Sequence, residues 1–236
     1  MTTRQQKGRY VFILIAVLFL WNTEIIKPLK IFTVFLHELG HALMAFIFGF
    51  GISEFKVNLN ESGHTLVQSK GWFSSFMIAN GGYLGSVLFA LLILYLKRTA
   101  FKKLILGTVA IVFLGVTFRF SGLSFALIYS ILFAIVVLVL YMWQNEKVND
   151  WFIDIIGITS VAYAIYDTFV DTVLLQLNIQ LHLISGWKVS QPLTDAVQLS
   201  RLTGLPAVLW GLIWLVILLI AVNAVLLKSS GPARRR

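Results

Sequence analysis

The sequence predicts an all-α integral membrane protein of about six to seven transmembrane helices, with a small β-hairpin after the second. Three observations carry this. Hydrophobic residues make up 58% of the 236 residues and charged ones only 12%, about half the usual charged share of a globular chain. The mean hydropathy is +0.87. The apolar residues also fall into runs near the ~20 residues that a bilayer crossing needs. Such a chain has too little polar surface to coat a water-soluble core.

The net charge of +9 does not point to nucleic acid. Its basic residues cluster between apolar runs and at the chain ends, as in Arg4, Lys7 and Arg9, in Lys97, Arg98, Lys102 and Lys103, and in Arg234, Arg235 and Arg236. Clusters at span ends meet anionic lipid headgroups. There is no cysteine, which excludes disulfides and thiolate metal sites.

Seven runs are candidate spans: 9–26, 30–51, 72–96, 103–118, 123–143, 152–177 and 205–227. The first has basic residues before it but no small-residue cleavage site after it, so it reads as a retained helix rather than a signal peptide. All seven are expected to form one polytopic membrane domain over residues 1–236. Seven spans place the two chain ends on opposite sides. The basic residues then lean slightly toward the C-terminal side, which favours a cytoplasmic C-terminus.

Two connections have structure of their own. Residues 54–69 alternate polar and apolar positions around Asn60-Glu61-Ser62-Gly63, a hairpin pattern. Between 178 and 204, Thr194 or Asp195 can cap a short helix. Ala196, Val197, Leu199 and Leu202 then share one side, expected to lie along the membrane surface.

The chemistry centres on His37-Glu38-Leu39-Gly40-His41 inside the second run. Residues four apart share a helical face, so His37 and His41 can hold one zinc ion. Glu38 lies beside that ion, placed to act as a general base on water. Ionisable groups at mid-helix in lipid cost about 2.5–3.5 kcal/mol each on insertion scales, so three together call for a ligand.

Zinc needs a third protein ligand. The other histidines, His64 and His182, fall in connections and read as solvated. Asp167 and Asp171 lie in the sixth run, four apart on one helical face. Depth favours Asp167. At 1.5 Å per residue, His37 and His41 lie about 9 and 15 Å deep, Asp167 about 18 Å and Asp171 about 24 Å. Asp171 then serves as an outer partner or alternative ligand. The run Asn80-Gly81-Gly82-Tyr83-Leu84-Gly85-Ser86 allows close helix approach, and Asn80 is a candidate donor to a substrate carbonyl or oxyanion.

At this point the sequence resembles the site-2 protease family of intramembrane zinc metallopeptidases, in its compact bacterial-type branch. The resemblance rests on HELGH in an apolar helix, the hairpin after it, the glycine-rich start of the next span and a carboxylate in a later span. Residues 32–92 are most similar. Tyr166-Asp167 and Leu205-Pro206-Ala207 are smaller echoes. It implies His37 and His41 as zinc ligands, Glu38 as base and an aspartate as third ligand, with one zinc per chain. It also implies a transmembrane protein as substrate and a bacterial plasma membrane as location. The family's usual Leu-Asp-Gly triplet is absent, and Asp167 stands in Tyr-Asp-Thr. Two rivals differ in class: a membrane zinc protease of another type, and a metal-binding transporter or scaffold without catalysis. The first typically uses a glutamate as third ligand, and after Glu61 only Glu146 remains.

Overall fold

The computed structural model describes residues 3–181 and 194–227. Helices α1 (Thr3–Phe19) and α2 (Lys27–Phe48) come first. Strands β1 (Ile52–Val57) and β2 (Gly63–Val67) follow, then α3 (Trp72–Leu96). A 3₁₀ turn at Ala100–Leu104 leads into α4 (Ile105–Phe120), followed by α5 (Phe125–Trp143) and α6 (Glu146–Thr168). A π-helical stretch, Phe169–Leu174, joins α6 to α7 (Leu175–Leu181). Last come α8 (Asp195–Thr203) and α9 (Ala207–Val222). The protein is thus an all-α membrane protein with one two-stranded hairpin.

Among the described residues six helical segments are long and apolar enough to cross a bilayer: Lys27–Phe48, Trp72–Leu96, Ala100–Phe120, Phe125–Trp143, Glu146–Ile179 and Ala207–Leu226. The expected first span at 9–26 is not one of them. Its helix, α1, stops at Phe19 and includes Arg4, Lys7 and Arg9, so its apolar part is only about half the required length. Turns fill the gap to α2.

The spans alternate in direction. Gly40 of α2 lies against Gly81 and Gly85 of α3, while Gly49 approaches Ile78, so α2 and α3 are antiparallel. Lys97 meets Asp154 and Tyr83 meets Asp171, which sets α3 against α6. Phe76 contacts Trp210 and Tyr83 contacts Trp214, so α9 runs with α3. With six crossings the first span begins on the face where the last one ends.

The α2–α3 contact explains the glycines. A Cβ on Gly40 would collide with the Gly81 carbonyl, and one on Gly81 would come 2.7 Å from the Gly40 carbonyl oxygen. Only bare backbones approach this closely. At the end of α3, buried Asp154 pairs with Lys97 at 2.6 Å and with Arg9 of α1 at 3.2 Å. This ties α1 and α3 to α6.

The hairpin lies against α2. Phe55 is fully buried on Phe35, ring centroids 4.9 Å apart, and Ser121 donates to the Phe55 carbonyl at 2.6 Å. At the tip, Glu61 takes a positive φ of 65°. Its carboxylate accepts from the Tyr163 hydroxyl at 3.2 Å and pairs with Lys30 at 3.5 Å.

The short helix α8 packs its apolar side against protein. Ala196 and Leu199 are fully buried, in a cluster with Ala79, Tyr83, Ala207, Trp210 and Trp214. The protein that covers its apolar side comes from α3 and α9.

Candidate metal centre

His37 and His41 come from successive turns of α2, as their spacing requires. The Nδ1 of His41 lies 2.8 Å from the Ile78 carbonyl oxygen. A carbonyl only accepts, so Nδ1 carries a proton and the Nε2 lone pair of the neutral ring faces the site. That Nε2 lies 3.1 Å from the Nε2 of His37. Gly82 makes room for both rings. A Cβ there would overlap His37 Nε2 and come 2.5 Å from His41 Nε2.

The third member is Asp195. Its Oδ2 lies 3.1 Å from each histidine Nε2. Thr194 caps α8 by accepting from the Val197 amide at 3.4 Å, which leaves the Asp195 side chain free to project from the first turn. Burial pushes the Asp195 carboxyl pKa upward. When the histidines are protonated, the His41 charge and the hydrogen bonds from both rings outweigh this and hold it well below the usual carboxylate range.

These atoms suit a metal. Tetrahedral zinc with ligands at about 2.0–2.1 Å sets its donor atoms about 3.3–3.4 Å apart. Here three donors form a triangle with 3.1 Å sides. Two imidazoles and one carboxylate match the donor types of a catalytic zinc site, and three protein ligands leave a position open. His37, His41 and Asp195 are the group among the described residues that could hold such an ion.

Glu38 is 5% exposed. Its Oε2 accepts from the Thr65 hydroxyl of β2 at 2.7 Å. Gly63 of β2 lies over it, where a Cβ would come 2.7 Å from Oε1. The hairpin therefore holds the carboxylate beside the histidines. All these groups line one cleft of about 240 Å³, together with Tyr83, Asp171 and Gln198.

The remaining sequence candidates are placed as follows. Asp167 is not part of the three-donor group and does not line the cleft; Asp195 stands where Asp167 was expected. The depth ruler assumed a ligand within a span, whereas this one comes from a short helix between spans. Asp171 does line the cleft, with Tyr83 donating to it at 3.4 Å. Asn80 does not. Its amide donates to the Phe76 carbonyl and accepts from Trp214, both at 2.8 Å, so it joins α9 to α3 instead of serving the site. His64 is on β2, 3.4 Å from Glu54, and His182 lies outside the described residues. Sequence reasoning missed Asp195, Thr65 and Tyr83. The available signal is Thr194-Asp195 ahead of an apolar turn, which by itself reads as an ordinary helix cap.

The family profile described as Peptidase M50B-like matches residues 10–225. The chain belongs to this family. No curated protein and no solved structure matches the chain. The Peptidase M50B-like family is the site-2 protease family, whose peptidases are typically metal-dependent. Membership and the six apolar helices make this chain a multi-pass membrane protein of a peptidase family, and favour that reading over a transporter or scaffold.

Proposed function

We propose that this M50B-like protein is an intramembrane zinc endopeptidase, cutting peptide bonds in or near the transmembrane segments of other membrane proteins. The observation that carries this reading is the convergence of His37, His41 and Asp195 within 3.1 Å of one another, in the same cleft as the buried Glu38. His37, His41 and Asp195 would hold the zinc. When bound, zinc supplies Lewis acidity that makes water a nucleophile at neutral pH and polarises a carbonyl.

The residues do the rest. Glu38 takes the proton from the attacking water and returns it to the leaving amine. Thr65 keeps the carboxylate aimed into the cleft, and the Ile78 carbonyl fixes the His41 tautomer. Burial of the site keeps bulk water from competing with these contacts.

A helical substrate hides its amides in its own hydrogen bonds and must unwind before it is cut. The hairpin offers those amides new partners. The Asn58 amide donates to the Ser62 carbonyl at 2.8 Å. Antiparallel ladders alternate. The opposed pairs Val57–Gly63 and Phe55–Thr65 are then the ones whose backbone groups point outward. On β1 that edge is covered, with Ser121 on the Phe55 carbonyl. On β2 it borders the cleft, at Gly63, Thr65 and Val67. An unwound segment can add there as a third strand.

The test is to purify wild type and Glu38→Gln, measure zinc in both, and assay cleavage of a membrane substrate. Equal zinc with cleavage reduced by about 10²–10⁴-fold is the expected result. Unchanged cleavage by the variant would remove Glu38 as base. Deleting the hairpin, residues 54–69, without loss of cleavage would refute the strand-addition role.

A further inference from the structure

We propose that Tyr83 is a further catalytic residue, its hydroxyl donating a hydrogen bond to the scissile carbonyl oxygen as negative charge grows there. The inference rests on the metallopeptidase reading above and deepens it.

Tyr83 is 4% exposed, and two rings fix it. Its own ring meets the His37 imidazole edge-on, centroids 4.6 Å apart at 84°, and lies 5.0 Å from Trp214. Gly82, the preceding residue, is the one that faces both histidine Nε2 atoms. The Tyr83 ring is thus built into the wall of the metal site.

The hydroxyl is the informative group. A buried tyrosine hydroxyl normally has a close partner. Among the described residues its partner is Asp171 Oδ2 at 3.4 Å, outside the usual 2.5–3.0 Å for O–H···O. Asp171 lines the same cleft as Tyr83, so this long contact holds the hydroxyl at the cleft wall without satisfying it fully. A hydroxyl hydrogen rotates to suit, so a nearer, more negative oxygen would capture it.

The other side-chain donors in the cleft are committed, half-buried or exposed. The Thr65 hydroxyl donates to Glu38. The Thr194 hydroxyl accepts from the Val197 amide in the α8 cap and is only half-buried. His64 sits beside Glu54, with its side chain 47% exposed, and Gln198 is exposed. Tyr83 is the buried neutral donor that remains. The two ends of the reaction are also held from different sides: Glu38 by the hairpin through Thr65, and Tyr83 by the π-helical stretch after α6 through Asp171. A donor held in a buried part of the cleft wall stabilises developing charge strongly, because it need not reorganise. No proton changes owner in this step; the hydroxyl only donates.

The experiment uses the full-length, zinc-loaded protein in liposomes with a membrane substrate. Tyr83→Phe keeps the ring on His37 and Trp214 and removes only the hydroxyl. It should lower kcat by about 10²–10³-fold, the range for loss of one oxyanion donor. KM and zinc content should stay unchanged. Substrate affinity, measured in the non-cleaving Glu38→Gln background, should also be unaffected by adding Tyr83→Phe. A wild-type kcat in Tyr83→Phe overturns the proposal. So does loss of zinc, which would make Tyr83 a buttress for His37 alone. Absence of cleavage by the wild type would instead defeat the metallopeptidase reading, so the two failures are distinguishable. If Tyr83→Phe does not fold, 3-fluorotyrosine at position 83 serves. Its more acidic hydroxyl should make kcat fall off at a lower alkaline pH than in the wild type. A pH profile identical to the wild type overturns the proposal.

Discussion

Two regions of the molecule offer carboxylates to the histidine pair, and they do so differently. The sixth predicted run carries Asp167 and Asp171 on one face of a long membrane-crossing helix. The nine-residue helix α8 carries Asp195 in its first turn. The long helix looks the better platform, since it is rigid and lies at calculable depth. The short helix supplies the ligand-distance contact. A side chain at a helix start projects past the end of the helix, and α8 is aimed by buried Ala196 and Leu199 against α3 and α9. Precision here comes from packing around a short element and not from the length of a span.

The largest expected effect breaks the comparison most directly. Asp195→Ala should abolish stoichiometric zinc binding, weakening affinity by more than the ~10–100-fold that outer partners cost. Elemental analysis of the purified protein would check it, and full zinc retention would return the assignment to α6. Gly82→Ala should come next. Its methyl would overlap the His37 ring, so zinc content should fall while the helices stay folded, as circular dichroism would report. Overpacking of this kind typically costs about 1–3 kcal/mol.

Thr65→Val sharpens the other side of the site. It removes the hydroxyl on Glu38 and keeps the shape. A hydrogen bond to a charged group is worth about 1.5–3 kcal/mol, so kcat should drop roughly 10–100-fold with zinc unchanged. A rate equal to wild type would show that Glu38 does not depend on the hairpin for its aim.

The contrast between the regions also explains what the sequence could and could not reveal. His37, Glu38 and His41 were legible because helical geometry relates i to i+4 with no help from the rest of the chain. The hairpin was legible for a similar reason, since alternation around Asn60-Glu61-Ser62-Gly63 is local. The close glycine contact was foreseen from residue size, and Gly40 against Gly81 bears it out. Asp195 was not legible, because 154 residues separate it from His41 and only tertiary packing of α8 joins them. Asn80 failed in the opposite way. It has the chemistry of a donor, but Trp214 and the Phe76 carbonyl already engage it. The bounds of the first run were less legible, because basic residues occupy the early turns of α1 and a hydropathy run cannot show that the helix ends at Phe19.

The smallest expected effect belongs to Asp167→Asn, and it tests the comparison from the α6 side. Asp167 sits outside the three-donor group, and no ion-pair distance links it to a cation among the described residues. A carboxylate in a membrane-crossing helix without such a partner costs stability. Its neutral isostere should therefore leave zinc content unchanged and leave the melting temperature equal to the wild type or slightly higher. Asp171→Asn should differ from it, lowering kcat modestly by loosening Tyr83. If Asp167→Asn instead loses zinc as completely as Asp195→Ala, both carboxylates are ligands, and the metal draws on the long helix as well as the short one.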